Sequence, residues 1–456
     1  MRRSLLLLTL ILGVVTLTAQ DHPAQIRSIY DEALTNGEVY ENLSVLCKEV
    51  GPRLSGTPGA AAAVEYTYRL MRDYDFDTVY LQPVMVPRWI RGEVETVRVT
   101  NSRTHGTIEL SATSLGNSIG TGPGGVLANV VEVSGMDEVE ALGKELEGKI
   151  VFYNGPMDPS QIQTFRAYGN AVIQRAYGAS EAAKYGAKAV IIRSMTNVID
   201  DVPHTGTLRY KRGMPRIPAM SISTQDAELL SQLLNEQQDL NIFMENHCEI
   251  GEDVLSYNVI GQLNGTSTPD EIIAVGGHLD SWDVGEGAHD DGAGCMQAIE
   301  AIRILKTIGY QPKRTLRAVM WMNEENGLMG GRKYADIAAE KNENHIAAIE
   351  SDRGGFLPTG FAMTGDDAKL GKIRGWQSLF APYQLWSWDQ PGSGADIGPL
   401  APQGTVLIGL LPDSQRYFEY HHTAADVFEA VHQRELELGA AAMSGLIYLL
   451  DTEGLD

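Results

Sequence analysis

The order of apolar and polar residues predicts alternating strands and helices over the C-terminal half of the chain. After Asp253, short apolar runs typical of buried strands are followed by stretches with apolar residues at helical spacing. The runs predict strands at 271–277, 315–322, 345–349 and 405–410. Helices are predicted from Met296 to Gly309 and over 435–450. Such alternation implies an α/β fold with a mixed, mostly parallel sheet flanked by helices.

The N-terminal half has a different pattern. Helices are predicted between Asp21 and about residue 75, interrupted by a loop rich in glycine and proline at 51–59, and strands at 78–86 and 93–100. Further short strands are predicted at 127–133, 149–154, 189–193 and 219–223, with a helix at 180–185. We therefore predict one domain formed by 21–117 and 251–456, with a second domain inserted at 118–250.

The first twenty residues have the pattern of a secretory signal peptide. Arg2 and Arg3 precede an apolar run at 5–17, and small residues follow at 18–19. A membrane anchor is the alternative, but the run is shorter than the roughly 20 residues that a span needs. We expect cleavage of the peptide at 1–20 and a secreted or periplasmic protein.

Composition narrows the possible partners. With 456 residues, 43% of them hydrophobic and 21% charged, the chain is an ordinary globular protein of two or three domains. Its net charge of -23 argues against nucleic acid or anionic membranes as partners. The three cysteines, Cys47, Cys248 and Cys295, exclude a disulfide scaffold. Two alternatives remain open: a disulfide between Cys47 and Cys248, or three buried free thiols.

Two histidines and three acidic residues of the C-terminal half form a candidate metal site: His278, Asp290, Glu325, Asp352 and His422. Three of them directly follow predicted strands or lie within three residues of their ends. In parallel sheets, ligands gather beyond these strand ends. A metal would also offset the cost of burying the carboxylates. Two imidazoles and three carboxylates suit two zinc-like ions that share one carboxylate.

Each candidate has an expected role. His278 would bind one ion while Asp280 holds its other ring nitrogen. Asp290, followed closely by glycines, would bridge both ions. The remaining residues would complete the two shells, with His422 on the ion opposite His278, and with Glu325 and Asp352 on one ion each.

Glu324 is the candidate general base. If Glu325 binds metal, we expect Glu324 to point away from it, since neighbours on an extended segment face opposite sides. It would take a proton from a water bridging the ions and return it to the leaving amine. Amide hydrolysis fits this arrangement best, and phosphate ester hydrolysis remains open.

The runs Gly-Gly-His-Leu-Asp-Ser-Trp-Asp-Val-Gly at 276–285 and Asp-Asp-Gly at 290–292 resemble the motifs of secreted di-zinc exopeptidases. This family includes bacterial leucyl aminopeptidases and glutamate carboxypeptidase. The resemblance implies the zinc exopeptidase fold, two Zn²⁺ per chain and short peptide substrates. It assigns the same five metal ligands, Glu324 as the base and Asp280 as the residue that orients His278.

The resemblance covers nearly the whole mature chain. It implies that the insert at 118–250 is a β-rich protease-associated domain and that the Asp290–Asp291 peptide bond is cis. Members of the family often form homodimers. The loop at 392–396 matches a family segment near the substrate, so Ser393 and Gly394 are candidate substrate contacts.

Two positions near the candidate ligands leave alternatives open. Some relatives have a tyrosine before the last histidine that stabilises the tetrahedral intermediate, and here that residue is His421. The oxyanion donor is therefore His421 or another residue such as Tyr420. Arg353, which follows Asp352, suits either a substrate carboxylate or an acidic partner on the surface.

The leading hypothesis is an exported di-zinc exopeptidase acting on dipeptides or short peptides. A receptor-like binding protein with a decayed site is an alternative, which the intact set of ligand residues disfavours. A mono-zinc acyltransferase of the glutaminyl cyclase type is another, and it would hold one ion. The residues do not decide between aminopeptidase, carboxypeptidase and dipeptidase activity.

Overall fold

Residues 21–455 are described by a computed structural model, so the predicted signal peptide lies outside the described residues. The strands form two large sheets and one two-stranded ribbon. Apolar clusters on both faces of each large sheet join it to helices. Within residues 21–455, no helix is long and apolar enough to span a membrane.

The first sheet has seven strands, four of which are parallel in the centre. In spatial order they are β1 (Thr78–Val86), β12 (Val254–Leu263), β14 (Arg314–Trp321), β13 (Thr268–His278), β15 (Asn344–Glu350), β17 (Val406–Pro412) and β16 (Pro358–Thr364). Strands β14, β13, β15 and β17 run parallel, and the remaining pairs are antiparallel. The predicted α/β fold with a mixed sheet is confirmed.

Helices pack on both faces of this sheet, which explains why central strands such as β17 are buried at every position. One cluster includes the helices α1 (His22–Asn36), α2 (Val39–Val45), α3 (Pro58–Asp73), α7 (Ala293–Thr307), α9 (Asp367–Gly375), α10 (Gln377–Phe380) and the C-terminal helix α11 (Gln433–Glu453). Helix α8 (Met329–Lys341) packs on the other face. In β14, Met320 faces the first cluster, whereas Val319 and Trp321 face α8.

The second sheet has eight strands. In spatial order they are β4 (Gly106–Leu110), β3 (Glu95–Ser102), β10 (Asn241–Asn246), β6 (Val126–Val133), β7 (Ile150–Tyr153), β8 (Ala189–Arg193), β9 (Ala219–Ile222) and β5 (Ala112–Ser114). Strands β6 to β9 are parallel. Helix α4 (Met136–Leu142) and helix α5 (Thr164–Lys184) pack on one face, and α6 (Thr224–Glu236) packs on the other.

The chain passes between the two sheets at two neighbouring points. Val86, the last residue of β1, is paired with Val254, the first residue of β12. Just beyond this pair, β2 (Trp89–Ile90) and β11 (Glu249–Ile250) form the antiparallel ribbon. The two connections to the second sheet therefore run side by side.

The second sheet includes residues that the predicted domain division assigned to the first domain. Strands β3, β4 and β5 lie between Glu95 and Ser114, ahead of the predicted boundary at 118. Helix α5 is also much longer than the helix predicted at 180–185. Its buried face includes Gln174 and Arg175, so its apolar periodicity is weak. The assignment of 118–250 as a protease-associated domain stays a prediction.

The three cysteines are buried and free. Cys47 and Cys248 belong to different apolar clusters, and Cys295 lies in α7. The alternative of three buried thiols is therefore the one that the structure contains.

Candidate metal centre

The parallel strands of the first sheet bring the candidate ligands to one edge. His278 is the last residue of β13, and it lies opposite Trp321 at the end of β14. Glu325 follows β14 in a turn, and Asp352 follows β15, which pairs with β13 up to Glu350. The carboxyl ends of neighbouring parallel strands share one edge, so the strands themselves assemble this part of the site.

Asp290 lies at the centre of the five residues. Its Oδ1 is 3.1 Å from Nε2 of His278, and the same nitrogen is 3.4 Å from Oδ1 of Asp352. Its Oδ2 is 3.3 Å from Nε2 of His422, which lies 3.2 Å from Oε2 of Glu325. The two oxygens of one carboxylate thus face two different pairs of residues, each made of a histidine and a carboxylate.

The chemistry of this cluster fits bound metal. Asp290 and Asp352 with His278, and Asp290 with His421 and His422, form two groups whose ligand atoms lie within 4.8 Å of one another. Oδ2 of Asp290 and Oε1 of Glu325 are buried without a hydrogen-bond partner. Unpaired buried carboxylate oxygens are costly, and a cation coordinated by them would remove that cost.

The backbone around Asp290 is held by a distant carboxylate. Asp426 accepts hydrogen bonds from the backbone nitrogens of His289 at 2.7 Å and Asp290 at 3.1 Å. Burial raises the pKa of Asp426 to about 7. The peptide bond between Asp290 and Asp291 is cis, as the family resemblance implies.

Asp291 connects the segment that contains Asp290 to the end of β13. Its Oδ2 accepts a hydrogen bond from the backbone nitrogen of His278 at 3.0 Å, and its Oδ1 accepts one from Gly294 at 3.1 Å. A Cβ atom on Gly277 would lie only 2.3 Å from Oδ2 of Asp291. Glycine at position 277 is therefore required for this close approach.

The loop at 51–59 supports the site through a buried arginine. The Arg53 side chain is fully buried and donates hydrogen bonds to the carbonyl oxygens of Leu279, Glu286 and Gly287 at 2.6–2.7 Å. These carbonyls belong to the segment that joins His278 to Asp290. Five donors in one rigid plane allow a single guanidinium to fix several turns of this segment.

Asp280 acts on two parts of the site, and only one of them was predicted. The ring Nδ1 of His278 lies 2.9 Å from the backbone carbonyl oxygen of Asp280 and 3.9 Å from its carboxylate. The carboxylate instead accepts hydrogen bonds from the backbone nitrogens of Asn323 at 2.6 Å and Glu324 at 3.0 Å. The backbone of Asp280 thus orients His278, while its side chain fixes the turn after β14.

Glu324 and Glu325 lie in that turn, not on an extended segment as the sequence argument assumed. Glu325 contacts His422, whereas the carboxylate of Glu324 forms no hydrogen bond or ion pair with another residue in 21–455. Burial raises the pKa of Glu324 to about 8. The two neighbours are separated by the turn geometry, which Asn323 allows with its positive φ of 76°.

His421 lies beside the cluster and is covered by the second sheet's helix. Its ring stacks on His422 at 3.5 Å, and its Nε2 is 3.8 Å from Oδ2 of Asp290. Tyr168 of α5 packs edge-on against the His421 ring, and its hydroxyl accepts a hydrogen bond from Arg175 at 2.7 Å. The side of the site that contains both histidines is therefore completed by α5.

Tyr420 and His289 face away from the cluster. The His289 ring stacks on Phe356 at 4.2 Å and lies 5.1 Å from the ring of Tyr420. The Nδ1 atom of His289 accepts a hydrogen bond from Gly355 at 3.1 Å. His289 is therefore a packing residue, and of the two oxyanion candidates only His421 has a side-chain contact with Asp290.

Ser393 and Gly394 line a cavity of about 210 Å³ next to Asp352. The backbone nitrogen of Ile397 donates a hydrogen bond to Glu350 at 2.9 Å, which anchors this loop to the end of β15. A Cβ atom on Gly394 would lie 2.1 Å from the carboxyl carbon of Glu350. The loop reaches the cavity because position 394 has no side chain.

Four residues of the site were not identified from the sequence: Arg53, Arg175, Asp291 and Asp426. Asp426 lies 136 positions after Asp290, and no local pattern links them. The loop at 51–59 was recognised, but nothing in it indicated that its arginine would be buried.

Comparisons with known proteins show the family to which this chain is related. The model of peptidase family M28 matches residues 258–447, which contain all five candidate ligands and Glu324. Carboxypeptidase Q of Bos taurus is 36% identical over 411 residues, covering 90% of this chain and 84% of that protein. The resemblance seen in the motifs therefore extends over most of the chain.

Solved structures share the fold. The crystal structure of a peptidase M28 precursor from Shewanella amazonensis SB2B superposes with a TM-score of 0.88 at 30% identity, covering 94% of this chain and 96% of that one. A zinc aminopeptidase from Bacillus subtilis has a TM-score of 0.67 at 20% identity, covering 91% and 95%, and shows likeness in fold. The fold and the cluster of histidines and carboxylates define a metallopeptidase. The chain belongs to peptidase family M28.

Proposed function

We propose that this chain is an exported di-zinc exopeptidase that hydrolyses dipeptides or short peptides. The observation that carries the proposal is the position of Asp290, whose two oxygens face His278 with Asp352 on one side and His422 with Glu325 on the other. One carboxylate shared between two such pairs is the arrangement that two neighbouring metal ions require.

The ligand types favour zinc. Each side of Asp290 offers one imidazole nitrogen and one further carboxylate, a mixture that zinc accepts readily. His278 and Asp352 would hold one ion, and Glu325 and His422 the other, with Asp290 bound to both. Zinc at this position supplies a Lewis acid that polarises the scissile carbonyl and makes water a stronger nucleophile.

Glu324 is the proposed general base and acid. Its carboxylate has no partner among residues 21–455 and belongs to the turn that Asp280 fixes. Glu324 takes a proton from the attacking water and delivers it to the leaving nitrogen. His421, with its Nε2 facing Asp290, is the proposed donor to the oxygen that becomes negative in the transition state.

The cavity next to Asp352 supports small substrates. Its volume of about 210 Å³ is below the roughly 300–1,000 Å³ of typical pockets for drug-sized ligands, and it has Ser393 and Gly394 in its wall. Phe165 of α5 lines the same cavity, so the second sheet's helix forms part of its wall. We extend the proposal to export through the signal peptide at 1–20 and to a homodimer.

The test combines metal analysis with hydrolysis of a dipeptide panel by the mature protein. We expect two zinc ions per chain, cleavage that chelation removes and zinc restores, and loss of cleavage in Glu324→Gln with its metal retained. Cleavage that survives both chelation and Glu324→Gln would overturn the proposal. One ion per chain would favour a mono-zinc acyltransferase, and a protein with neither metal nor activity would favour the binding protein.

A further inference from the structure

Among residues 21–455, Arg353 is the only positively charged residue in the wall of the cavity next to Asp352. The other lining residues are Phe165, Glu350, Asp352, Ser393, Gly394 and Ala395. In a chain with a net charge of -23, Arg353 adds one cation to a cavity wall that also contains the acidic residues Glu350 and Asp352. A negatively charged group of a ligand would be attracted to the guanidinium itself.

The guanidinium of Arg353 has no anionic partner. Within residues 21–455 it forms no hydrogen bond and no ion pair, and its Cζ lies 4.8 Å from the centre of the Phe165 ring. Arg303, by comparison, donates to both carboxylate oxygens of Glu300 at 2.6 and 2.7 Å. A partly buried guanidinium with its donors unused is an unsatisfied site for an acceptor.

The neighbouring carboxylates do not account for this cation. Glu350 accepts hydrogen bonds from the backbone nitrogens of Asp396 and Ile397 at 3.4 and 2.9 Å. Oδ1 of Asp352 faces His278 at 3.4 Å. Both acids therefore have contacts of their own, and neither lies within ion-pair distance of Arg353.

Arg353 also borders a second, more apolar cavity of about 400 Å³. Arg353 and Phe165 line both cavities, and the outer one has Ile162, Leu357 and Trp386 in its wall. The guanidinium thus lies at the border between the polar cavity beside the candidate metal site and the more apolar cavity. A charged group of a ligand that reaches this border has one cation available to it.

We propose that Arg353 binds a carboxylate of the substrate and so determines specificity for peptides that present a free carboxylate at this position. The inference rests on the proposed peptidase function and adds the class of substrate. The planar guanidinium matches a carboxylate with two parallel hydrogen bonds, and it lies over the ring of Phe165, which lines the same cavity. The carboxylate comes from one of two sources: the free C-terminus of a dipeptide, or an aspartate or glutamate side chain.

The experiment compares the wild type with Arg353→Met and Arg353→Lys on four substrates. Ala-Ala and its C-terminal amide test the terminal carboxylate, and Glu-Ala and Gln-Ala test the side chain. We expect Arg353→Met to lower kcat/KM for the recognised acid roughly 10- to 100-fold, with its uncharged counterpart changed less than about threefold. Arg353→Lys should recover part of the loss, mainly through KM.

If Arg353→Met lowers kcat/KM for the acid of one pair more than for its uncharged counterpart, that pair identifies the source of the carboxylate. An equal loss on all four substrates would mean that Arg353 only supports the structure, and no loss on any would also overturn the inference. Arg416→Met is the matched control, because Arg416 likewise lies over a ring, that of Phe356 at 5.1 Å, but its side chain is 53% exposed outside both cavities. This control should leave all four rates unchanged.

Binding measurements separate this inference from the proposed function. If the wild type hydrolyses none of the four dipeptides, the peptidase proposal fails on these substrates. Calorimetric binding of the same dipeptides to the metal-containing wild type and Arg353→Met then tests Arg353 alone. Weaker binding of the acid to the variant, with unchanged binding of its uncharged counterpart, supports the inference, and equal binding to both proteins overturns it.

Discussion

The carboxylate of Asp280 lies 3.0 Å from the backbone nitrogen of Glu324 and accepts its hydrogen bond. The residue that was expected to orient a metal-binding histidine with its side chain therefore orients the proposed base. The backbone carbonyl of Asp280, 2.9 Å from Nδ1 of His278, remains in place whatever side chain stands at position 280.

Replacement of Asp280 should therefore affect turnover more than metal binding. We expect Asp280→Ala to lower kcat roughly 10- to 1,000-fold, because the amides of Asn323 and Glu324 lose their acceptor. Zinc affinity, measured by competition with a chelator, should change less than about threefold. Asp280→Asn retains an acceptor oxygen and should keep more activity. A 10- to 100-fold loss of zinc affinity in Asp280→Ala would instead indicate that the side chain orients His278.

Metal stoichiometry should distinguish Asp290 from Asp352. Because Asp290 faces both pairs of a histidine and a carboxylate, Asp290→Ala should bind neither zinc ion tightly. Asp352 faces only His278, so Asp352→Ala should retain one ion per chain at Glu325 and His422. Mass spectrometry of the native proteins, or metal analysis after gel filtration, gives the counts. Identical counts in the two variants would contradict the bridging role of Asp290.

Removal of the Arg53 side chain should destabilise the protein. Arg53→Met leaves the carbonyls of Leu279, Glu286 and Gly287 without their donor in a buried region. We expect the free energy of unfolding, measured in urea, to fall by roughly 3–5 kcal/mol. Arg27→Met is the control, since the Arg27 side chain is 77% exposed. A fall of less than about 1 kcal/mol for Arg53→Met would show that water replaces these hydrogen bonds.

Gly277 should not tolerate even a methyl group. In Gly277→Ala the new Cβ would lie 2.3 Å from Oδ2 of Asp291 and 2.8 Å from the backbone nitrogen of Cys295. We expect a lower Tm and weaker zinc binding, because Asp291 holds the backbone of His278. Gly371→Ala in α9 is the matched control, as nothing lies within 4 Å of its added Cβ. Equal Tm values for the two variants would contradict the required close approach.

The sequence predicted those parts of the site that depend on local order. His278 and Asp352 were found because each follows a buried strand, and strand ends meet at one edge of a parallel sheet. The contacts of Arg53 and Asp426 join segments more than 130 residues apart, and nothing in their own neighbourhoods indicates a partner. Helix α5 was mostly missed because small and polar residues form its buried face, which removes the apolar period.

The pairing of Val86 with Val254 bears on how the unit between these residues could be inserted during evolution. Seen from the first sheet, everything between those two residues is the loop of one β-hairpin. The entropy of closing a loop rises only slowly with its length, by about 0.6 kcal/mol for each doubling. A whole folded unit can therefore be gained or lost at this turn with little effect on the strands that carry it.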